Sequence, residues 1–377
     1  MLFANCRRVN IFLNYSTERN KMSRLSANQS DIDFQNEILK EVSRTFALTI
    51  PKLPASLMPA VANAYLLCRI ADTIEDDPAL SFEEKKRYSD WFAKIVEEKL
   101  PADDFSNQLA SKLGPETTDA ELLLIQKAST ILRITNTLSN NQRKAMFDCV
   151  KIMTEGMVLY QNKETLDGVE NQSAMDLYCY YVAGVVGEML TKIFLEYGNS
   201  WDETSKETML KLSTSFGQGL QMTNILKDVW SDRRRGACWI PRDIFEKENI
   251  VLSQISNGNT PGFRRCLKSL IAISLAHLQN ALDYTLSIPR RESGIRLFCL
   301  WALFMAVLTL TKIYRDPSYT NGKDIKISRS SVKIIMSSTM LFSRSNSALR
   351  ILFFLLTIRI PKAKKLVTTV YSEKISK

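Results

Sequence analysis

A chain of 377 residues, 45% apolar and 24% charged, can bury a large core, and its 13 glycines and 11 prolines are too few for a fibrous or low-complexity protein. Seven cysteines at 6, 68, 149, 179, 238, 266 and 299, with no CxxC pair, exclude a disulfide framework and point to a reducing, cytoplasmic setting. The net charge of +10 belongs to the ends: residues 1–30 carry +4, residues 323–377 carry +10, and the body between them carries −4. Nothing in the body has the make-up of a nucleic-acid module, so nucleic acid is not expected as a partner and the basic tail points to anionic lipid. The single histidine, His277, excludes His-rich metal sites, argues against a Ser-His-Asp triad, and reads as a structural residue on a helix.

Residues 1–30 read as a polar, basic extension whose apolar runs are too broken for a secretory signal; few acids and several arginines also suit organellar targeting, and Met22 is an alternative first residue. A helix is expected over 32–50, with Asp31 or Asp33 as N-cap, ending at the Pro51–Pro54 break. The next runs from Met58 to Asp76 and is stopped by Asp77-Pro78. Ser81 and Glu84 form a capping box for another, and 100–119 reads as a loop. Further helices are expected at about 119–137, 140–160, 173–197, 203–232, 263–287 and 293–314, with an irregular stretch at 233–262 and a polar loop at 315–324. Two short helices, about 328–342 and 346–359, complete the chain. The apolar run 297–308 reads as a buried core helix rather than a membrane span. The run 349–360, followed by Pro361-Lys362-Ala363-Lys364-Lys365, reads as an interfacial helix with a basic collar, or alternatively as a helix docked on the body. The simplest organisation is all-α: an extension over 1–30, one helical domain over 31–342, and a basic tail over 343–377, in a monomer or weak oligomer.

Two stretches carry the chemistry. On the helix ending at Asp76, Tyr65, Arg69, Asp72 and Asp76 fall at spacings of 4, 3 and 4 and share one face, among Leu66, Leu67, Ile70, Ala71 and Ile74. On a second helix, Gln221, Asn224, Asp228 and Asp232 repeat the stripe at 3, 4 and 4, with Lys227 beside them and Arg233-Arg234-Arg235 at the end. Two carboxylates one turn apart suit Mg²⁺, which takes oxygen ligands and keeps waters. A single DxxxD is ordinarily solvated helix surface, and an arginine run is more often exposed charge than ligand. Two stripes with their own cations in apolar context point instead to Mg²⁺ binding a diphosphate and promoting its departure.

These residues, with Ser43-Arg44-Thr45-Phe46 and Tyr178-Cys179-Tyr180-Tyr181-Val182-Ala183-Gly184, give a chain that resembles the squalene and phytoene synthase family over about Glu37 to Arg329. Phe298-Cys299 with Ala306, Thr309 and Leu310, and Lys326-Ile327-Ser328-Arg329, place it nearer the squalene synthases. The resemblance implies an isoprenoid-synthase-type helical bundle around a central apolar cavity. It also implies condensation of two farnesyl diphosphates through a cyclopropyl diphosphate to squalene, with hydride from NADPH. Dehydrosqualene or phytoene synthesis without reduction, and a non-catalytic isoprenoid-binding or assembly role, are the alternatives. Carried over by resemblance, Asp72, Asp76, Asn224, Asp228 and Asp232 hold Mg²⁺. Ser43, Arg44, Thr45, Arg69 and Lys227 hold diphosphate, Tyr65 and Tyr178 line the reaction centre, Val182, Gly187 and Gln221 shape the chain pockets, and Lys326 and Arg329 meet NADPH. Tyr178 can equally be a core aromatic, Ser43 a plain helix residue, and Gly187 a close-packing position. Lys227 departs from the family's usual arginine and loses the forked contact to phosphate.

Overall fold

The structure, a computed structural model, describes residues 28–43, 45–161, 165–197 and 201–363. The expected extension up to residue 27, Arg44, and the tail beyond residue 363 lie outside the described residues. The first helices are α1 (Gln29–Val42), α2 (Phe46–Thr49), α3 (Met58–Asp76), α4 (Phe82–Val96), α5 (Asp103–Ala110), α6 (Asp119–Gln126), α7 (Ala128–Thr135) and α8 (Asn140–Gln161). There follow α9 (Gln172–Cys179), α10 (Val185–Tyr197), α11 (Glu203–Arg234), α12 (Arg242–Glu246), α13 (Pro261–Ser287), α14 (Ser293–Arg315), α15 (Arg329–Phe342) and α16 (Asn346–Thr357). Among the described residues the strand-like pairing is confined to one bridge between Val169 and Pro241, so the all-α expectation is borne out.

The departures have local causes. The helix expected over 32–50 is two, because Ser43 turns extended (φ −145°, ψ 122°) after α1. Its cap is Asn28, whose side chain accepts the Asp31 N–H at 2.9 Å. Asp31 itself is buried and accepts two hydrogen bonds from Arg133, at 3.1 and 2.6 Å. Helix α5 forms inside the stretch expected as a loop: Phe105 and Leu109, one turn apart, are both buried, and two aspartates face its N-terminal dipole. The Ser81–Glu84 capping box is present in both directions.

Chain proximity groups residues 1–44 with 59–147, and 45–58 with 148–377, into two compact units. In the first unit α3 is buried on nearly every side, through Ala60, Val61, Leu66, Leu67, Ile70 and Ile74. Tyr88, Phe92 and Phe105 pack as an aromatic cluster. Asn63, fully buried, is satisfied by Gln35 and by Thr135, to which it donates at 2.6 Å.

In the second unit α11 is the longest element, at 32 residues. It meets α10 through glycine. A Cβ at Gly187 would lie 2.2 Å from the Ser213 carbonyl oxygen, and one at Gly217 would lie 2.1 Å from that of Ala183. Between α9 and α10 the residues Tyr180–Gly184 adopt a π turn, a feature frequent at functional sites. Helix α14 is long and apolar enough to cross a membrane, yet 72% of its apolar window is buried within the protein, as expected of a core helix. His277 is buried with its Nδ1 2.8 Å from the Ser215 hydroxyl, and burial alone holds its pKa down to about 4, so it is a neutral core residue. The cysteines at 68, 149, 179, 238, 266 and 299 are all buried, and none of these is in a disulfide.

Candidate active site

The first stripe is the less buried face of α3. Tyr65, half-buried, donates to the Val42 carbonyl at 3.2 Å and is hydrogen-bonded to the Ser43 side chain. Ser43 is therefore a buried residue at the α1 terminus, set against the stripe. Burial pushes the Tyr65 phenol above its usual range, so it stays protonated at neutral pH. About a third of the Asp72 side chain, 35%, is accessible, yet the carboxyl sits in a recess dense with protein atoms. Desolvation first, and the neighbouring charge of Asp76 second, push it up to about 7. Arg69 lies 4.0 Å away and opposes that shift only in part.

Arg69 has a partner that its sequence neighbourhood does not announce. Its guanidinium donates to Glu121 of α6 in a half-buried ion pair. It is thus a salt-bridge partner as well as a candidate diphosphate ligand. Glu121 is also the N3 residue of the Thr118 capping box, so one carboxyl oxygen holds the helix start and the other holds Arg69. Burial raises the Glu121 pKa, but the Thr118 hydrogen bonds and Arg69 bring it below the ordinary carboxylate range. The Arg69 Nε is buried without a hydrogen-bond partner. Asp77, next to the stripe, has a different task. It is buried and accepts from Ala79 N–H, Gly114 N–H and the Thr117 hydroxyl, fixing the turn after α3.

The second stripe lies on α11. Asn224 is exposed, Gln221, Lys227 and Asp228 are half-buried, and Asp232 is buried. Here the carboxylates are compensated. Lys227 Nζ lies 3.0 Å from Asp228 and 3.5 Å from the Asn224 side-chain oxygen, and Arg235 lies 2.7 Å from Asp232. Of the remaining arginines, Arg233 donates to the Leu166 and Ile255 carbonyls and so braces loops. A loop expected only as polar lies over this stripe. Tyr319 is buried and donates to the Leu226 carbonyl, and burial together with Asp228 and Asp232 raises its pKa. A Cβ on Gly322 would stand 2.9 Å from Asp228 Oδ1, so the loop backbone rests directly on that carboxylate.

Tyr178 is buried, stacked on Trp239 with ring centres 4.1 Å apart and planes 6° from parallel, and it meets Tyr160 at 5.1 Å. Val182 is half-buried in the π turn, and Gly187 is the close-packing position described above. Thr45 opens α2 and accepts the Leu48 and Thr49 N–H groups on its carbonyl. Lys326 and Arg329 are exposed at the start of α15. The residues that sequence reasoning missed are Glu121, Trp239, Tyr319 and Gly322. The capping pattern Thr118-x-x-Glu121 marks Glu121 as a helix start but not as the partner of Arg69. Among the described residues no three acidic, imidazole or thiol groups converge, so each stripe offers a pair of carboxylates.

The squalene/phytoene synthase family matches residues 39–331. The chain belongs to that family. It is 32% identical over 292 residues to squalene synthase ERG9 of Candida albicans, covering 76% of this chain and 62% of that protein. It is 28% identical over 322 residues to a squalene synthase of Yarrowia lipolytica, covering 84% and 68%. The chain thus spans 62% of the length of the first relative. Among solved structures, TcSQS with the ligand BPH1237 matches with a TM-score of 0.70 at 24% identity, covering 92% of this chain and 96% of that one. A dehydrosqualene synthase matches at 0.61 and 19%, covering 84% and 98%. These structural likenesses establish the squalene/phytoene synthase fold.

Proposed function

We propose that this chain joins two farnesyl diphosphates head to head, through presqualene diphosphate, to give squalene with reduction by NADPH. The observation that carries the reading is the Asp72–Asp76 pair: two carboxylates one turn apart, the charge of Asp76 pushing up the pKa of Asp72, on a face that also presents Tyr65 and Arg69. Such a pair fits a divalent cation, and the donor set is oxygen throughout, as Mg²⁺ prefers. That the Candida albicans and Yarrowia lipolytica relatives are squalene synthases favours this product.

Asp72 and Asp76 in the first unit, and Asn224, Asp228 and Asp232 in the second, would hold Mg²⁺. Bound there, the metal supplies positive charge to the departing diphosphate. Ser43, Arg44, Thr45, Arg69 and Lys227 would bind the diphosphates. The partnerless Arg69 Nε suits a phosphate oxygen, and Glu121 fixes the guanidinium for it. Tyr65, held protonated, would keep a proton beside the diphosphate, and Tyr178 with Trp239 would give an aromatic wall to the reaction centre. Val182, Gly187 and Gln221 would shape the chain pockets, Gly187 by letting backbones close up. Lys326 and Arg329 would hold NADPH, their exposed cations meeting its phosphates. Residues 31–342 are the proposed catalytic region. The remaining proposals are a monomer or weak oligomer in the cytoplasm, with peripheral membrane contact through the basic C-terminal segment.

Incubation with farnesyl diphosphate, Mg²⁺ and NADPH, read by mass spectrometry, tests the reaction. Squalene is expected, with a dehydro C30 product or presqualene diphosphate when NADPH is left out. A C30 product indifferent to NADPH would mark dehydrosqualene synthesis, and no C30 product under either condition sinks the proposal.

A further inference from the structure

Helices α15 and α16 form a hairpin that is anchored on one side and bare on the other. On the anchored side Phe353 meets Phe304, the Trp301 indole donates to Thr339 at 3.1 Å, and Leu349, Phe353 and Thr357 form a buried stripe four residues apart. The fully buried Arg296 clamps the turn between the helices, donating to the Ser343 carbonyl at 2.6 Å and to Asn346 at 2.7 Å. The segment from 343 to 357 is therefore docked on its unit, and the hairpin holds a fixed face outward.

That outward face is apolar as well. Ile351, Phe354 and Ile358 recur at spacings of 3 and 4 and are exposed, as is Leu355. On α15, Ile334 and Leu341 stand seven residues apart and are 67% and 77% exposed. A soluble helix ordinarily turns polar residues outward, and an apolar stripe of this kind marks an interaction surface. The charge around it decides the occupant. No acidic residue occurs between Asp324 and Glu373, while Lys333, Arg344, Arg359 and Lys362 are all exposed; Arg350 is paired with Asp283 at 2.8 Å. Beside α16 a groove of about 460 Å³ carries Arg315, Arg359 and Tyr314 over Leu355 and Ile358. A second copy placed face to face would bring like charges together, whereas anionic headgroups neutralise them while acyl chains cover the apolar stripe.

We propose that the outer face of the α15–α16 hairpin rests in the headgroup region of an anionic bilayer, with Ile334, Leu341, Ile351 and Phe354 inserted and the surrounding cations on the phosphates. This rests on the membrane-contact reading above and gives it a surface. A pre-formed face of this kind binds without paying to order a tail.

The test is flotation of the full chain with vesicles of phosphatidylcholine containing phosphatidylserine, against phosphatidylcholine alone. Wild type is expected to float with the anionic vesicles and to be released by salt. The double variant Leu341→Ser/Phe354→Ser is expected to lose about tenfold or more in partitioning, with its thermal midpoint unchanged because both side chains are exposed. Lys333→Gln/Arg344→Gln should lose several-fold and flatten the salt dependence. If wild type fails to float, the membrane reading itself falls. If wild type floats and the apolar variant floats equally, only the hairpin assignment is overturned, and the same holds if binding vanishes on neutralising Lys364 and Lys365 alone. A concentration-dependent dimer that the apolar variant dissolves, without a change in flotation, would also overturn it.

Discussion

The acidic stripes of α3 and α11 look alike as sequence and differ as electrostatics. On α11 each carboxylate has its own cation, Lys227 for Asp228 and Arg235 for Asp232. On α3 Arg69 is shared between Glu121 and, at 4.0 Å, Asp72, and desolvation together with the charge of Asp76 still pushes the Asp72 carboxyl up to about 7. The lesson is that spacing places carboxylates on a face but does not say how much positive charge that face still lacks. A stripe whose carboxyl is desolvated and raised takes up a cation to relieve itself, while a compensated one must exchange an existing ion pair for it. Mg²⁺ should therefore stabilise the first unit chiefly through α3.

The largest expected effect comes from Asp76→Asn. In the proposed reaction turnover should fall by about a hundredfold or more, and the Mg²⁺-dependent rise in thermal midpoint should disappear. A variant that keeps both would break the contrast between the stripes. The desolvation of Asp72 predicts a pH dependence. The Asp72 pKa in the folded protein is raised from 3.8 to about 7, so the folded state binds a proton that the unfolded chain releases. Its contribution to stability is full below about 3.8 and is lost as pH rises through about 7. Without Mg²⁺ the midpoint should drift down across that window. Asp76→Asn should shift the upper end of the window to lower pH, because the largest charge contribution is gone while desolvation stays, and Mg²⁺ affinity should climb as Asp72 ionises. A flat titration of midpoint against pH in wild type would remove the argument.

Gly322→Ala probes the compensated stripe from the loop side. The added methyl would stand 2.9 Å from Asp228 Oδ1 and must displace it. About a tenfold rise in the Mg²⁺ concentration needed for half-maximal thermal stabilisation is expected, and no change would show that Asp228 yields freely. Glu121→Gln tests whether Asp72 is raised because Arg69 is shared with Glu121. Freed from Glu121, Arg69 should neutralise Asp72 more fully and bring its pKa down, at a stability cost of about 1 kcal/mol for the half-buried pair. The smallest effect is expected of Lys227→Arg, which restores a forked contact: a several-fold fall in KM for farnesyl diphosphate with kcat nearly unchanged. An unchanged KM would mean that Lys227 serves Asp228 alone.

Much of the site was legible before the structure. Met58 and Asp76 were correctly read as the ends of α3, because a Pro-marked loop and Asp77-Pro78 stop it and its apolar residues leave one polar face. The α11 stripe was legible by the same periodicity. The helix at 103–110 was not, since it depends on the burial of Phe105 and Leu109, and the Asn28 cap, though a bond between residues three apart, competes in the sequence with Asp31 and Asp33.

By itself, then, the chain determined that helices form, which face of each carries acid, and the family to which the motifs belong. These follow from interactions three and four residues apart, which are written into any helical sequence. Tertiary structure alone decided the partners: Glu121 for Arg69 across 52 positions, Tyr319 for Leu226 across 93, and carbonyls rather than a carboxylate for Arg296. It also decided that Asp72 of the opening stripe is desolvated and only partly compensated, and that Ile351, Phe354 and Leu355 of α16 are exposed. Burial and long-range contact set both, and neither has a period that can be read along the chain.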